Sequence, residues 1–381
     1  MKTDGKLKKV GLIGAGGFAL NHFQMLVESG AANGMCLVAV ADPTVLPDST
    51  TAALERNFVR RYGDYEEMFA SEALEGVFIA TPIPTHFSMT ASALRHGLHV
   101  YLEKPPVTSV AQIGELIRMD AKESVQVGFN MMSWPMVRRT LAKIRRREFG
   151  VVHSIRVVGL WPRNTKYYSR ASWAGKMGSP ENPIFDGPAT NAMSHYVQLL
   201  CAGARAAGGR RPTGIRGDFY RARAIESYDT CSLSGHFADG PRFSIVMSHA
   251  AGPGQSTVLT LETDKGVVTV DDRLFARIGT SRFGLSTGFA HRDFGRLLNG
   301  KMSRPRVTLS DCVDFLEIMS QGLAASGGIT SIPPEFITRT GEGDDELYVV
   351  SGLRESAKQC SDSFQTFSEA GAPWSKTCAV A

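Results

Sequence analysis

The chain has 381 residues, 43% of them hydrophobic and 21% charged, which excludes disordered and fibrous classes and, at roughly 150 residues per domain, predicts two domains. The 42 basic and 37 acidic side chains leave a net charge of +5, which is too small to indicate a nucleic-acid partner. The six cysteines show no C-x-x-C spacing and no apolar run reaches the roughly 18 residues of a membrane span, so we expect a cytoplasmic protein with reduced thiols, no metal site and no membrane partner.

The first third of the chain alternates short apolar strands with amphipathic helices. The predicted strands are residues 10–13, 37–41, 77–80, 99–102 and 125–129, and the predicted helices are residues 18–28, 86–96 and 110–121. This alternation predicts an α/β domain of the Rossmann-like, doubly wound type, with helices on both faces of a parallel sheet. We place this domain at residues 1–129.

The second domain, residues 130–381, has the pattern of an α+β fold. After a helix at 135–147, strands are predicted at 151–160, 216–224, 230–237, 242–249, 257–261 and 266–270, and helices at 309–325 and 346–367. These strands predict a large, mostly antiparallel, open-faced sheet. Because residues 243–247 and 267–270 alternate strongly while few helices remain to cover them, we expect one sheet face to be buried in a homodimer or homotetramer.

A glycine-rich turn directly follows the first strand and opens a helix. Its residues, Gly14, Ala15, Gly16, Gly17, Phe18 and Ala19, match the dinucleotide pattern G-x-G-x-x-A. Gly14 permits the tight turn, Gly16 lets a pyrophosphate approach the backbone, and Ala19 allows close helix packing. Glycine-rich turns are also common structural punctuation, but the strand and helix on either side favour a dinucleotide site.

Asp42 ends the second strand, where a carboxylate can accept hydrogen bonds from both hydroxyls of an adenosine ribose. The same carboxylate repels a 2′-phosphate, so the sequence favours NAD over NADP. The alternative is that Asp42 only begins a turn with Pro43.

Two further loops follow strands of the same sheet. Thr81, Pro82 and His86 come after residues 77–80, and Glu103 and Lys104, followed by Pro105, come after residues 99–102. Because open α/β sheets bind ligands at the carboxyl ends of their strands, we expect both loops to face the cofactor. Taken singly, each could be a proline-stiffened loop, with His86 as a helix cap.

In order, the motifs G-A-G-G-F-A, A-D-P, I-A-T-P-x-x-T-H, Y-L-E-K-P and V-G-F-N resemble those of the Gfo/Idh/MocA family, the glucose-fructose oxidoreductase and inositol dehydrogenase group. The resemblance implies an NAD-dependent dehydrogenase acting on CH-OH groups. It implies that Lys104 reaches the substrate hydroxyl beside the nicotinamide, and that Thr81, Pro82 and His86 lie along the cofactor. It also implies that the second domain's sheet serves substrate and oligomer contacts.

The family's second catalytic element is a helix carrying D-x-x-x-H, which residues 187–195 match in part. His195 is retained, whereas Asn191 and Gln198 stand where the family often has aspartates. Residues four apart share a helix face, so we expect Asn191 and His195 to point together. Asn191 cannot take a proton but can hold a substrate oxygen or orient the imidazole, which leaves His195 as the acid/base group.

A segment rich in aromatic and basic residues lies between the second domain's first strand and this helix. Its aromatic members are Trp161, Tyr167, Tyr168, Trp173 and Phe185, and its basic members are Arg163, Lys166, Arg170 and Lys176. We predict a substrate loop in which Tyr167, Tyr168, Arg170 and Trp173 contact a small-molecule sugar or polyol. An interface loop is the alternative, because the same residue types are enriched at interfaces. The phrase Y-Y-S-R-x-x-W-A-G is typical of a less studied branch of the family.

Taken together, the residues predict an NAD(H)-dependent oxidoreductase that transfers hydride at a secondary alcohol of a sugar, polyol or sugar derivative. One alternative is a glycoside-cleaving enzyme of the same family that oxidises its substrate transiently with tightly bound NAD. Another is a cofactor-binding regulator without turnover. Retention of Lys104 and His195 argues against the regulator.

Overall fold

The computed structural model describes residues 6–179, 183–253, 256–271 and 283–376. The chain forms two compact units. The first comprises Met1–Pro135 and Arg282–Cys312, and the second comprises Met136–Ser281 and Val313–Ala381. The chain thus leaves the first unit after Pro135 and contributes to it again with Arg282–Cys312, whereas the sequence predicts a single boundary at 129/130.

The helices of the described ranges are as follows. In chain order they are α1 Ala19–Ser29, α2 Asp48–Arg56, α3 Tyr65–Ser71, α4 His86–Arg95, α5 Val110–Met119, α6 Pro135–Arg145, α7 Thr165–Ser169, α8 Ser194–Ala206, α9 Phe283–Leu298, α10 Val313–Ser326 and α11 Leu353–Ser363. None of them is long and apolar enough to cross a membrane.

The sheet of the first unit is entirely parallel, as predicted. Its strands are β1 Lys8–Ile13, β2 Met35–Ala41, β3 Arg60–Tyr62, β4 Gly76–Ile79, β5 His99–Leu102 and β6 Val125–Val127, in the order β3-β2-β1-β4-β5-β6. The order reverses at β1, between β2 and β4, which is the switch point where doubly wound folds bind ligands. Strand β3 lay outside the predicted strands because it is short and largely exposed.

Helices α2, α3 and α9 of the first unit were not predicted from the sequence, and α9 is the longest of them. Its Phe294 is fully buried and meets the ring of Phe78 on β4 edge-on, with the centroids 5.0 Å apart. Its sequence contains glycines, which lower helix propensity, and a helix was therefore not predicted for this segment. Gly295 has a packing reason, because a Cβ there would clash with the Asn33 carbonyl.

The second unit contains a seven-stranded sheet. Its strands are β7 Val152–Leu160, β8 Pro212–Arg221, β9 Thr230–Phe237, β10 Arg242–Ser248, β11 Thr257–Thr263, β12 Gly266–Asp271 and β13 Ile329–Ser331, in the order β12-β11-β7-β10-β9-β8-β13. Four of the six neighbouring pairs are antiparallel, and the β7–β10 and β8–β13 pairs are parallel. This confirms the predicted mostly antiparallel sheet.

The predicted helix at 346–367 is divided in the structure. Strands β14, Ile337–Thr340, and β15, Leu347–Val350, form a separate hairpin before α11 begins. The run of β-branched and aromatic residues in β15 favours a strand, and Gly352 breaks the chain direction with a φ of 69°.

Both faces of the central strands are covered within the second unit. Helices α8 and α10 pack on one face, and α11 with the segment that follows it packs on the other. The apolar cluster on the face covered by α11 includes Val246 of β10, Phe367 and Trp374, all 1% exposed or less. Residues 243–247 therefore do not need a second subunit for cover, contrary to the expectation from the sequence. On the edge strand β12, by contrast, Val267 is 64% exposed.

Candidate functional site

The glycine turn of the first unit connects β1 to α1. Gly14 has a φ of +101°, and a Cβ there would lie 2.7 Å from the carbonyl oxygen of Ala80, so only glycine fits. Gly17 also has a positive φ, of +53°. Ala19 begins α1, and its N–H donates to the Gly16 carbonyl at 3.1 Å. The sequence pattern is thus a structural requirement at two of its glycines.

The same turn fits a dinucleotide pyrophosphate. A Cβ at Gly16 would meet no atom within 4 Å, so the space beside this backbone is open. No side chain caps the first turn of α1, although the N–H groups of Ala19 and Asn21 donate to backbone carbonyls, and the positive end of the helix dipole favours an anion here. Phe18, at the start of the helix, is 39% exposed.

Asp42 lies beside this turn at the end of β2. Its Oδ2 accepts the Ala15 N–H at 2.7 Å, and its Oδ1 accepts from the N–H and hydroxyl of Thr44 at 2.9 and 2.6 Å. Each carboxylate oxygen can accept two hydrogen bonds, so Oδ2 retains capacity for a ribose hydroxyl. Asp42 therefore begins a local turn, as the alternative proposed, and still fits the cofactor role.

Glu103 and Lys104 follow β5, as predicted. The side chain of Glu103 is only 12% exposed; its Oε1 lies 3.0 Å from Nε2 of His22, and its Oε2 accepts the Lys104 N–H at 3.1 Å. Gly128 of the V-G-F-N motif packs on this carboxylate, because a Cβ there would lie 2.9 Å from Oε1. The V-G-F-N motif thus packs against the E-K-P motif that contains Lys104.

A second histidine, His291 of α9, extends this contact. Nδ1 of His22 lies 2.7 Å from Nε2 of His291, and the two rings stack with centroids 5.0 Å apart. We call Glu103, His22 and His291 the histidine relay. The relay was not predicted, because its histidines carry little signal in the sequence. His22 lies on the buried face of α1 with Leu26, which is a weak signal, and nothing local indicates His291.

Two groups of the histidine relay, Glu103 and His291, have pKa values below their ordinary values. Burial raises the pKa of Glu103, but the hydrogen bond and charge of His22 and the charge of Lys104 outweigh burial, so the pKa lies below its ordinary value. Burial, and then the charge of His22, hold the pKa of His291 well below its ordinary value. Glu103 is therefore an ionised carboxylate at neutral pH, and His291 is a neutral imidazole.

His86 connects the two cofactor loops of the first unit. It is 1% exposed, and its Nδ1 and Nε2 lie 2.9 and 3.0 Å from the carbonyl oxygens of Pro105 and Thr81. Burial lowers its pKa, which favours the neutral ring. Pro82 precedes a 3-10 turn, Ile83–Thr85. His86 holds the loops together, and direct contact of Thr81, Pro82 and His86 with the cofactor stays a prediction.

In the second unit, Asn191 and His195 do not share one continuous α-helix. Pro188–Ala192 forms a π-helical turn, Met193 interrupts it with ψ of 13°, and α8 begins at Ser194. His195 is therefore in the first turn of α8 and is half-buried. The i, i+4 argument for a shared face does not apply across this break.

The side-chain amide of Asn191 contacts a buried carboxylate, that of Asp186. Its Oδ1 accepts from the Asn191 side-chain amide at 2.7 Å, its Oδ2 accepts the Gly175 N–H at 2.8 Å, and Arg170 lies 3.5 Å away. Asp186 is 1% exposed, so these partners replace its water. Asp186 was not predicted as a site residue because it directly precedes residues 187–195, the stretch that matches the family motif.

In the aromatic loop, arginine side chains stack on the rings of tyrosine and tryptophan. The guanidinium carbon of Arg170 lies 3.6 Å from the ring centroid of Tyr167 and 4.6 Å from that of Trp173, and the guanidinium carbon of Arg163 lies 4.9 Å from the Tyr167 centroid. The hydroxyl of Tyr168 lies 2.9 Å from Nδ1 of His249. Among the residues that the structure describes, no group of three or more His, Cys, Asp or Glu side chains is placed to hold a metal ion.

The family model described as "Oxidoreductase family, NAD-binding Rossmann fold" matches residues 8–131. The oxidoreductase YfiI of Bacillus subtilis (strain 168), whose function is not characterised, is 28% identical over 264 residues, which are 57% of this chain and 66% of that protein. The inositol 2-dehydrogenase of Rhodococcus jostii (strain RHA1) is 30% identical over 126 residues, 32% of this chain and 33% of the relative. The chain thus spans less than two thirds of either relative.

Solved structures share the fold over most of the chain. The WlbA dehydrogenase from Bordetella pertussis, crystallised with NADH and UDP-GlcNAcA, has a TM-score of 0.73 at 22% identity and covers 86% of this chain and 97% of its own. A myo-inositol dehydrogenase from Corynebacterium glutamicum ATCC 13032 has a TM-score of 0.67 at 17% identity, covering 84% and 97%. The glycine turn, Asp42 and the E-K-P motif all lie within residues 8–131, the part of the chain that matches the NAD-binding Rossmann domain of the Gfo/Idh/MocA oxidoreductases.

Proposed function

We propose that the chain is an NAD(H)-dependent dehydrogenase that transfers hydride at a secondary alcohol of a sugar, polyol or sugar derivative. The observation that carries this proposal is Lys104 at the carboxyl end of β5, on a backbone held by the buried carboxylate of Glu103. Two similarities support the substrate class. One relative is an inositol 2-dehydrogenase, and one structural neighbour was crystallised with NADH and a nucleotide sugar.

In this proposal the chain's own groups handle the proton and the positioning. Bound NAD supplies the acceptor for the hydride that leaves the carbinol carbon. Lys104 takes the hydroxyl proton during oxidation and returns it during reduction, and His195 is a second acid/base group. Asp186 orients the Asn191 amide, which holds a substrate oxygen, while Tyr167, Tyr168, Arg170 and Trp173 contact the rest of the substrate.

A substrate panel tests this function. The purified chain is mixed with NAD⁺ and single sugars or polyols, NADH is followed by absorbance, and product masses are measured. We expect NADH to form with a product two hydrogens lighter than its substrate. A product formed by gain of water, without net NADH, would instead identify a glycoside-cleaving enzyme. Cofactor binding with no turnover on any compound would favour a regulator.

We propose that the cofactor is NAD rather than NADP because of Asp42. Its carboxylate is 9% exposed and would repel a 2′-phosphate in a partly desolvated site. We expect NADH to bind more tightly than NADPH in a fluorescence titration, and Asp42→Ala to narrow the difference. Thr44→Ala is the control, because it removes a partner of Asp42 but leaves the charge. Tighter binding of NADPH by the unaltered chain contradicts the assignment.

We also propose that the chain forms a homodimer or homotetramer. The central strands of the second unit are covered by the chain itself, so the exposed strand β12 with Val267 is the part of the sheet left for such contact. Multi-angle light scattering at micromolar concentration should give at least twice the mass of one chain, and Val267→Lys should lower it. A single monomeric species in the unaltered protein rejects this proposal.

A further inference from the structure

Three loops of the second unit bring arginines together at one edge of the sheet. Arg163 follows β7, Arg223 follows β8 and His249 follows β10, and these three strands run in the same direction. The Arg163 N–H donates to the His249 carbonyl at 3.1 Å, and Nη2 of Arg223 donates to the Arg163 carbonyl at 2.8 Å. With Arg170 of the aromatic loop, we call this group the arginine cluster.

Aromatic rings hold the guanidinium groups in place. Arg163 and Arg170 both stack on Tyr167, and the guanidinium carbon of Arg223 lies 4.5 Å from the ring centroid of Tyr168 and 4.6 Å from that of Tyr348. Stacked guanidinium groups lose less conformational freedom when they bind a ligand, because their orientation is already fixed. The tyrosines thus hold arginines in position, in addition to the substrate contact proposed for Tyr167 and Tyr168.

The cluster holds more positive than negative charge. Arg170 has Asp186 at 3.5 Å, and Nε of Arg223 has Asp229 at 3.6 Å. No carboxylate of the described residues lies within 4 Å of the Arg163 guanidinium. His249 is 1% exposed. Its burial, together with the charges of Arg163, Arg223 and Arg170, holds the pKa of its imidazole well below the ordinary value. The site therefore favours an added negative charge.

The two carboxylates have little capacity left for the arginines. Asp186 accepts from Gly175 and Asn191, and Asp229 accepts the Ala222 N–H at 3.0 Å and the hydroxyl of a neighbouring threonine at 3.1 Å. Burial also raises the pKa of Asp229, although Arg223 partly opposes this. The acids in the cluster are thus engaged in fixing backbone rather than in neutralising every arginine.

Three buried nitrogens of the cluster have no hydrogen-bond partner in the part of the chain that the structure describes. They are Nε of Arg163, Nε2 of His249 and Nε of Arg223, the last of which is ion-paired with Asp229 at 3.6 Å, beyond hydrogen-bond distance. The Tyr168 hydroxyl can donate to Nδ1 of His249, which places the ring proton on Nε2. A buried donor without an acceptor is destabilising, because it has lost its hydrogen bonds to water without replacement. A bound oxyanion would supply acceptors for these donors.

We propose that the arginine cluster is a recognition site for a carboxylate on the substrate, so that the dehydrogenase acts on an acidic sugar or polyol. This rests on the function proposed above and narrows it. Two planar oxygens match the forked donors of a guanidinium, which favours a carboxylate over a neutral hydroxyl. A phosphate group offers the same charge and is distinguished by experiment.

Calorimetric titration of the full chain tests this site without requiring turnover. The probes are D-glucuronate, D-galacturonate and D-gluconate, with D-glucose and D-glucose 6-phosphate for comparison. We expect at least one acid to bind more tightly than glucose and glucose 6-phosphate. Arg163→Gln should weaken that binding roughly tenfold or more, because it removes a charge-assisted hydrogen bond. Arg163→Lys should recover part of it, because the charge is restored.

Arg210→Gln is the matched control, since Arg210 is an exposed arginine of the same unit paired with Asp239. It should leave acid binding unchanged, and a urea-unfolding transition like that of the unaltered chain should confirm that Arg163→Gln is folded. Equal binding of glucose, tighter binding of glucose 6-phosphate, or no binding of any acid overturns the carboxylate site. Acid binding without hydride transfer retains the site and rejects the proposed function. Turnover of neutral polyols without acid binding supports the proposed function and rejects the carboxylate site.

Discussion

Replacing Lys104 with alanine is expected to lower kcat by roughly 100-fold or more, while the affinity for NADH changes little. The reason is that the ammonium or amine group exchanges the alcohol proton, whereas the glycine turn and Asp42 hold the cofactor through other atoms. Steady-state kinetics on the substrate identified by the panel, together with a fluorescence titration of NADH, measure the two quantities separately.

Lys122→Ala is the matched control because Lys122 is an exposed lysine of the same unit, and it should leave both quantities unchanged. His195→Ala should behave like Lys104→Ala, and Asn191→Ala should act more on KM, since an amide positions but does not exchange protons. If Lys104→Ala retains near-normal turnover, the hydride-transfer site has been placed on the wrong residue, and a site centred on His195 gains support.

Glu103→Ala is expected to lower the free energy of unfolding by about 3 kcal/mol at pH 7, because it leaves the buried His22 without its carboxylate partner. Urea denaturation measures this difference. Glu28→Ala is the control, since Glu28 is an exposed carboxylate on the same helix as His22 and should change stability by less than about 0.5 kcal/mol.

The effect of Glu103 should depend on pH in a defined direction. Its pKa is lower in the folded chain than the ordinary value of 4.5, so its contribution is fully present above pH 4.5 and is lost as the pH falls through the folded value. The difference between the unaltered chain and Glu103→Ala should therefore shrink in acid. A difference that stays constant from pH 7 to pH 3 would show that Glu103 acts by packing alone.

The sequence by itself determined the features that depend on local chain geometry. Gly14 and Gly17 are required by positive φ angles, the alternation of strands and helices fixed a parallel sheet, and Lys104 follows β5 as predicted. Each of these is encoded within a few neighbouring residues, because backbone conformation and the pattern of apolar side chains are local properties.

Only the tertiary structure decided which distant residues complete the sites. His22 and His291 are 269 positions apart, and Arg163, Arg223 and His249 meet because three strands of one sheet end at the same edge. The covering of residues 243–247 by the chain's own final segment is also a long-range contact. Periodicity shows that a side chain is to be buried but does not specify the partner, because burial is favourable against any complementary surface and topology selects which one is present.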